Sequence, residues 1–232
     1  MRVSGSYYRE VIMNKILLSL CLGLSFSTFS KVRQINLEGT NEVKYVNLHL
    51  VVGKTAAYLN DSYNGQVATW LTRILTTYKN KNAPNLYLIL DSPGGSITDG
   101  LGAISAMKLI SERYGTKTTC VINDLAASMA AVHSAFCDFT VMNQYGALMH
   151  HHPSYGIGRA ARNILQERFR FSEVWLDLVE GKIAAQYGLS TTEWQGFIKA
   201  ERWFTAEDAA RHGLVDKVVE NLIIESIYEK ED

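Results

Sequence analysis

The chain predicts an α/β protein with a mainly parallel sheet flanked by helices. Short apolar runs alternate with longer amphipathic stretches, and each pair is separated by polar, Gly- or Pro-bearing breaks. At 232 residues, with 47% apolar residues, three prolines and no low-complexity tract or internal repeat, the chain can bury one substantial core.

Each element follows from its own residues. Val43 to Val52 alternates partly and reads as a strand. Tyr63 to Tyr78 carries Val67, Trp70, Leu71, Ile74 and Leu75 at helical spacing. Lys79 to Pro84 is a polar loop, and its proline bars continuation of the helix. Leu86 to Leu90 is apolar throughout, as a strand covered on both faces should be. Thr98 to Tyr114 is the next helix, stopped by Gly115. Thr118 to Ile122 is a strand, and a helix begins after Ser128. Phe139 to Met142 is a further strand, and Arg159 to Tyr187 a long helix. This alternation implies right-handed crossovers and a parallel sheet, whose functional groups gather at the C-terminal ends of the strands.

Three segments fall at such ends. Ser128, in Ala126-Ala127-Ser128-Met129-Ala130, stands where a strand gives way to a helix of small residues. A hydroxyl there meets free backbone N–H groups; it is also well placed to be a plain helix cap. Asp91-Ser92-Pro93-Gly94-Gly95-Ser96 follows a strand, and paired glycines let backbone N–H groups approach a ligand. Met149-His150-His151-His152-Pro153 offers a general base at a strand end. Alternate residues of an extended run share a face, so the three histidines do not converge on one metal.

These segments, with Gly213-Leu214-Val215-Asp216, resemble in order and spacing the proteolytic subunit of the Clp protease (ClpP), a family of serine endopeptidases on a crotonase-like fold. The resemblance runs over residues 43 to 220 and implies repeated β-β-α units. It implies Ser128 as nucleophile and His151 as base, the latter matching the histidine of the family's Met-Ile-His-Gln-Pro run. Gly95 and the Met129 N–H would form the oxyanion hole. Glu201, preceding Arg202-Trp203, would complete the triad where the family has aspartate; glutamate serves if its backbone stands one methylene further back. Asp124 and Ala130 also replace residues that are usually glycine. An aspartate at 124 would raise the basicity of His151 if it lay close.

The resemblance further implies that the long helix is a protruding handle that docks two rings face to face. Leu165, Phe169, Leu176, Val179 and Ile183 keep helical spacing, and Phe171, Val174 and Trp175 add more apolar surface than one face can bury, which fits an interface. The expected substrates are peptides or unfolded proteins, and the expected assembly is a homo-oligomeric ring. Neither a cofactor nor a metal is implied. The formal net charge of zero gives no reason to expect nucleic acid or an anionic membrane as partner.

Residues 1–30 read as a secretory signal peptide: Lys15, then the apolar run Ile16 to Leu24, then small residues up to Ser30, with Met13 as an alternative start. The apolar run is too short for a membrane span. Residues 31–232 are then one ClpP-like domain, placed in the periplasm or outside the cell and out of reach of a cytosolic Clp-type ATPase; the alternative is a cytoplasmic protein whose apolar N-terminal segment serves in ring packing. Cys120 and Cys137 are expected as buried thiols, since two cysteines make no disulfide framework. Two other readings compete: a crotonase-type acyl-CoA enzyme, against which Ser128 and His151 speak, and an inactive scaffold, favoured by the departures at Asp124 and Glu201.

Overall fold

A computed structural model describes residues 32–52, 56–80, 85–154 and 158–226; the segment read as a signal peptide lies outside them. Eight strands and six helices are found among the described residues: β1 (Tyr45–Val52), β2 (Ala56–Leu59), α1 (Gly65–Asn80), β3 (Asn85–Ser92), α2 (Ile97–Tyr114), β4 (Lys117–Ala127), α3 (Met129–Ala135), β5 (Phe139–Asn143), β6 (Ala147–His151), α4 (Arg162–Gln186), α5 (Thr191–Ile198), β7 (Glu201–Thr205), α6 (Ala206–His212) and β8 (Lys217–Ser226).

The sheet runs β3-β2-β1-β8-β5-β4-β6-β7, and β3 pairs with β4 as well. Every pairing is parallel except β6 with β7. The predicted α/β class with a mainly parallel sheet is therefore observed. β4 is the hub: its first half pairs with β5 and its last three residues with β6. This change of partner carries the end of β4 away from β5 and delivers Ser128 beside Met149.

Side-chain alternation in β3 explains its unbroken apolar run. Leu86, Leu88 and Leu90 enter the main core under the helices, beside Leu71, Met107 and Ile122. Ile89 points through the sheet into a second cluster with Leu50, Val121, Val141 and Val219. Burial on both faces is what makes a purely apolar strand favourable.

Ser96 caps α2 by accepting a hydrogen bond from Asp99 N, and Ser190 with Glu193 forms a reciprocal capping box at α5. Asp216, in the Gly213-Leu214-Val215-Asp216 motif, has a structural task. It accepts from buried Arg33 at 2.6 Å and from Thr140 N at 2.8 Å, while Arg33 also donates to Thr140 Oγ1. Removing one member would leave a buried charge unpaired, the costly way to break such a cluster.

The cysteines differ from the expectation. Cys120 on β4 and Cys137 after α3 are joined as a disulfide, their Cα atoms 5.8 Å apart. Cys120 pairs in register with Thr140, and the tight turn before β5 folds Cys137 back against β4, a proximity that only tertiary pairing creates.

The 25-residue helix α4 changes character along its length. Val179, Ile183 and Ala184 are buried against the body, whereas Phe169, Phe171, Val174 and Leu178 are exposed.

Candidate active site

Ser128 has φ 55° and ψ −120°, in the left-handed half of the Ramachandran map that L-residues avoid. Such a conformation costs about 1–3 kcal/mol and persists only where its surroundings fix it. Here Ser128 N donates to Met149 O at 2.9 Å, and Ser128 O accepts from Val132 N at 3.1 Å as the first bond of α3. The Ser128 hydroxyl makes no cap to the helix. It lies 2.7 Å from His151 Nε2.

That distance follows from the sheet. Ala127 pairs with Met149 in parallel register, so the end of β6 runs beside the elbow and places His151 next to it. A neutral serine hydroxyl donates to Nε2, which leaves the ring proton on Nδ1, the tautomer a general base needs.

The glycine pair sits against the same elbow. A Cβ on Gly94, with φ 99°, would lie 2.5 Å from Ser128 Cβ and 2.8 Å from Met129 N. Gly95, with φ 143°, is bridged to Tyr63, whose backbone fixes the loop: Tyr63 N donates to Gly94 O and Ser96 N donates to Tyr63 O. Among the described residues, no acceptor is found for the N–H of Gly95 or of Met129. Two such groups beside a nucleophile are suited to receive an oxyanion.

Next to Ser128 and His151 opens a cavity of about 80 Å³, walled by Ile97, Val132, Pro153, Val179 and Ile183. The motifs alone did not indicate this pocket. Its signal is the i, i+4 pair Val179 and Ile183, which in sequence is indistinguishable from ordinary core.

The three consecutive histidines go three ways. His150 is buried edge-on against Trp194 and Tyr187 and bonds to Tyr187 Oη at 3.2 Å. Burial, and secondarily His151, brings its pKa down to about 3, so it is neutral. His151 meets Ser128. His152 Nδ1 lies 2.6 Å from Glu180 Oε1 on α4, and the other oxygen of that carboxylate accepts from Gln195 of α5.

Glu201 stands directly opposite His151 in the antiparallel β6–β7 ladder, so their side chains leave the same face. Its carboxylate is engaged elsewhere: Oε1 accepts from Trp203 Nε1 at 2.7 Å. Asp124 is exposed, and its charge falls on Asp91: that carboxyl is raised by burial and then by Asp124. No group of three His, Cys, Asp or Glu side chains that could hold a metal is found among the described residues.

The profile of the Clp protease family matches residues 40–222. The chain belongs to the Clp protease family. Individual relatives are distant. The ATP-dependent Clp protease proteolytic subunit 1 of Streptomyces avermitilis is 31% identical over 140 residues, 60% of this chain and 62% of that protein. Subunit 2 of Corynebacterium diphtheriae is 26% identical over 168 residues, 71% of this chain and 81% of its own. Subunit 3 of Rhodococcus jostii is 32% identical over 139 residues, 58% and 65% of the two chains. The chain thus spans less than two thirds of the first and third of these relatives. Within the family frame, the elbow, the glycine loop and the His151 strand end all lie inside the matched stretch.

Proposed function

We propose that this protein is a serine endopeptidase that hydrolyses peptides or unfolded polypeptides through an acyl-enzyme. The observation that carries the reading is the Ser128–His151 contact at 2.7 Å on a strained elbow, with two backbone N–H groups beside it. In the first half-reaction Ser128 Oγ attacks the scissile carbonyl carbon as His151 Nε2 takes its proton. The carbonyl electrons move to oxygen, where the N–H groups of Gly95 and Met129 stabilise the charge. Collapse re-forms the carbonyl and breaks the C–N bond, and His151 returns the proton to the departing amine. Water then repeats the sequence on the ester and frees Ser128. Glu201 is the acid of the triad in this reading. Its place opposite His151 supports that role, which requires the carboxylate to leave Trp203 for His151 Nδ1. The apolar cavity takes the side chain before the scissile bond and so favours apolar residues there.

The assembly we propose is a ring of identical subunits, paired through α4. The exposed Phe169, Phe171, Val174 and Leu178 support it, because an apolar strip of this kind is covered in stable proteins. The N-terminal segment supports export, and the Cys120–Cys137 disulfide suits an oxidising compartment. An exported enzyme would work without a cytosolic ATPase, on peptides or unfolded chains.

Labelling with a fluorophosphonate tests the central claim. A stoichiometric adduct on Ser128, located by mass spectrometry and lost in Ser128→Ala, is expected. A folded, assembled protein that takes no label would favour the scaffold reading, for which the engagement of Glu201 with Trp203 is the supporting observation.

A further inference from the structure

Tyr63 and His133 form a buried polar pair that the reaction above does not use. Tyr63 Oη lies 2.6 Å from His133 Nδ1, and His133 Nε2 faces Met107 Sδ at 3.4 Å. Both residues are almost wholly buried, at 2% and 0% exposure, inside an otherwise apolar core. Polar groups are costly there unless paired, so the pair needs a reason.

Its position supplies one. The two N–H groups offered to the oxyanion come from different elements: Gly95 from the loop after β3, and Met129 from the first residue of α3. Among the described residues, no backbone hydrogen bond of the loop reaches α3. Tyr63 touches both. Its backbone clamps the loop at Gly94 and Ser96 on either side of Gly95, and its side chain reaches His133, just over one turn along α3 from Met129.

We propose that the Tyr63–His133 hydrogen bond is a brace that sets the spacing between the two halves of the oxyanion hole. This rests on the peptidase reading. Tyr63 and His133 are positioning residues, since neither reaches the reacting atoms.

The protonation states are fixed by the site. Burial holds the phenol well above its usual range and lowers the imidazole to about 4, so both are neutral at pH 7. The phenol O–H then donates to an unprotonated Nδ1, and the ring proton on Nε2 points at the Met107 sulfur. Each polar atom has one partner, and the bond has one direction. A hydrogen bond of defined length and direction locates two elements more sharply than apolar contact, which tolerates sliding.

Tyr63→Phe removes one oxygen and keeps both the ring and the backbone clamp. With a fluorogenic peptide bearing an apolar residue before the scissile bond, kcat should fall about tenfold, with KM changed by less than about twofold. Affinity for a peptide boronate, which mimics the tetrahedral state, should fall by the same factor, whereas that for a non-cleavable peptide should not. His133→Leu should reproduce the loss. His133→Asn, whose side-chain oxygen falls near the position of Nδ1, should restore most of kcat. Amide hydrogen exchange at Ser96 and Val132, the hydrogen-bonded N–H groups of the loop and of α3 nearest the oxyanion hole, should quicken together in Tyr63→Phe and His133→Leu.

A folded Tyr63→Phe with unchanged kcat and boronate affinity would overturn the brace, as would equal losses in boronate and ground-state peptide affinity. If Tyr63→Phe does not fold, the contrast between His133→Leu and His133→Asn decides in the same way. A wild-type protein inert to peptide and fluorophosphonate would defeat the peptidase reading alone; exchange at Ser96 and Val132 that quickens together in the variants would still support the brace, and exchange that quickens at one alone would refute it.

Discussion

The nucleophile side and the acid side of this site are built to different standards. Ser128 is held by Met149 O and Val132 N through its backbone and by the close approach of Gly94, with the buried Tyr63–His133 pair at one remove. Glu201 begins the edge strand β7, is exposed, and spends its carboxylate on an equally exposed Trp203. One half is set by folding alone. The other depends on the partners of a surface strand. On the proposed reading, the contrast teaches that nucleophile, base and oxyanion groups are preorganised by the fold, while Glu201 acts only once its carboxylate leaves Trp203.

The largest effect expected is that of Ser128→Ala, which should cut kcat by about three to six orders of magnitude with the fold intact; steady-state turnover against a matched wild-type control checks it. Gly94→Ala attacks the rigid half without touching a reacting group. Its new methyl would sit 2.5 Å from Ser128 Cβ at a φ of 99°, so activity should fall at least about a hundredfold and stability by about 2 kcal/mol or more, read by turnover and denaturant unfolding. Glu201→Gln probes the loose half: turnover should drop about ten- to a hundredfold while the sedimentation profile stays unchanged. Trp203→Phe, which frees the carboxylate, should leave turnover equal to or above that of the parent. Equal rates for Glu201→Gln and wild type would reduce Glu201 to a surface partner of Trp203.

The smallest effect is on acid stability. His133 and His150 have folded pKa values lowered to about 4 and about 3, below the unfolded value of about 6.5. Below about pH 6.5 the unfolded chain binds protons that the folded one refuses, so stability is complete above that pH and declines as pH falls toward about 3. His133→Asn should flatten that decline in Tm between pH 6 and 4. An unchanged slope would place the acid sensitivity elsewhere.

Much of this was legible in the chain. Leu86 to Leu90 reads as a strand buried on both faces, and the glycine pair, Ser128 and the histidine run stand at strand ends, where such sheets concentrate chemistry; it is the resemblance to the Clp proteolytic subunit that singles out Gly95, Ser128 and His151. What escaped were pairings between distant residues. Tyr63 and His133 are 70 positions apart, and His152 finds Glu180 across a helix. Cys120 and Cys137 meet only because β5 folds back beside β4. Glu201 was located, but the direction of its carboxylate depends on whether Trp203 competes for it, a choice made by rotamers and not by spacing.

The divided loyalty of β4 bears on when a chain that works as a peptidase would become dangerous to its neighbours. A growing or refolding chain that has formed β3, β4 and α3 but lacks β6 has its serine without the carbonyl of Met149 that pins the elbow and without a base. Those come from residues some twenty positions further along, which a growing chain adds later. On the peptidase reading, cutting power comes only once β6 is in place, and a reagent that scores a reactive Ser128 counts molecules that have passed that step.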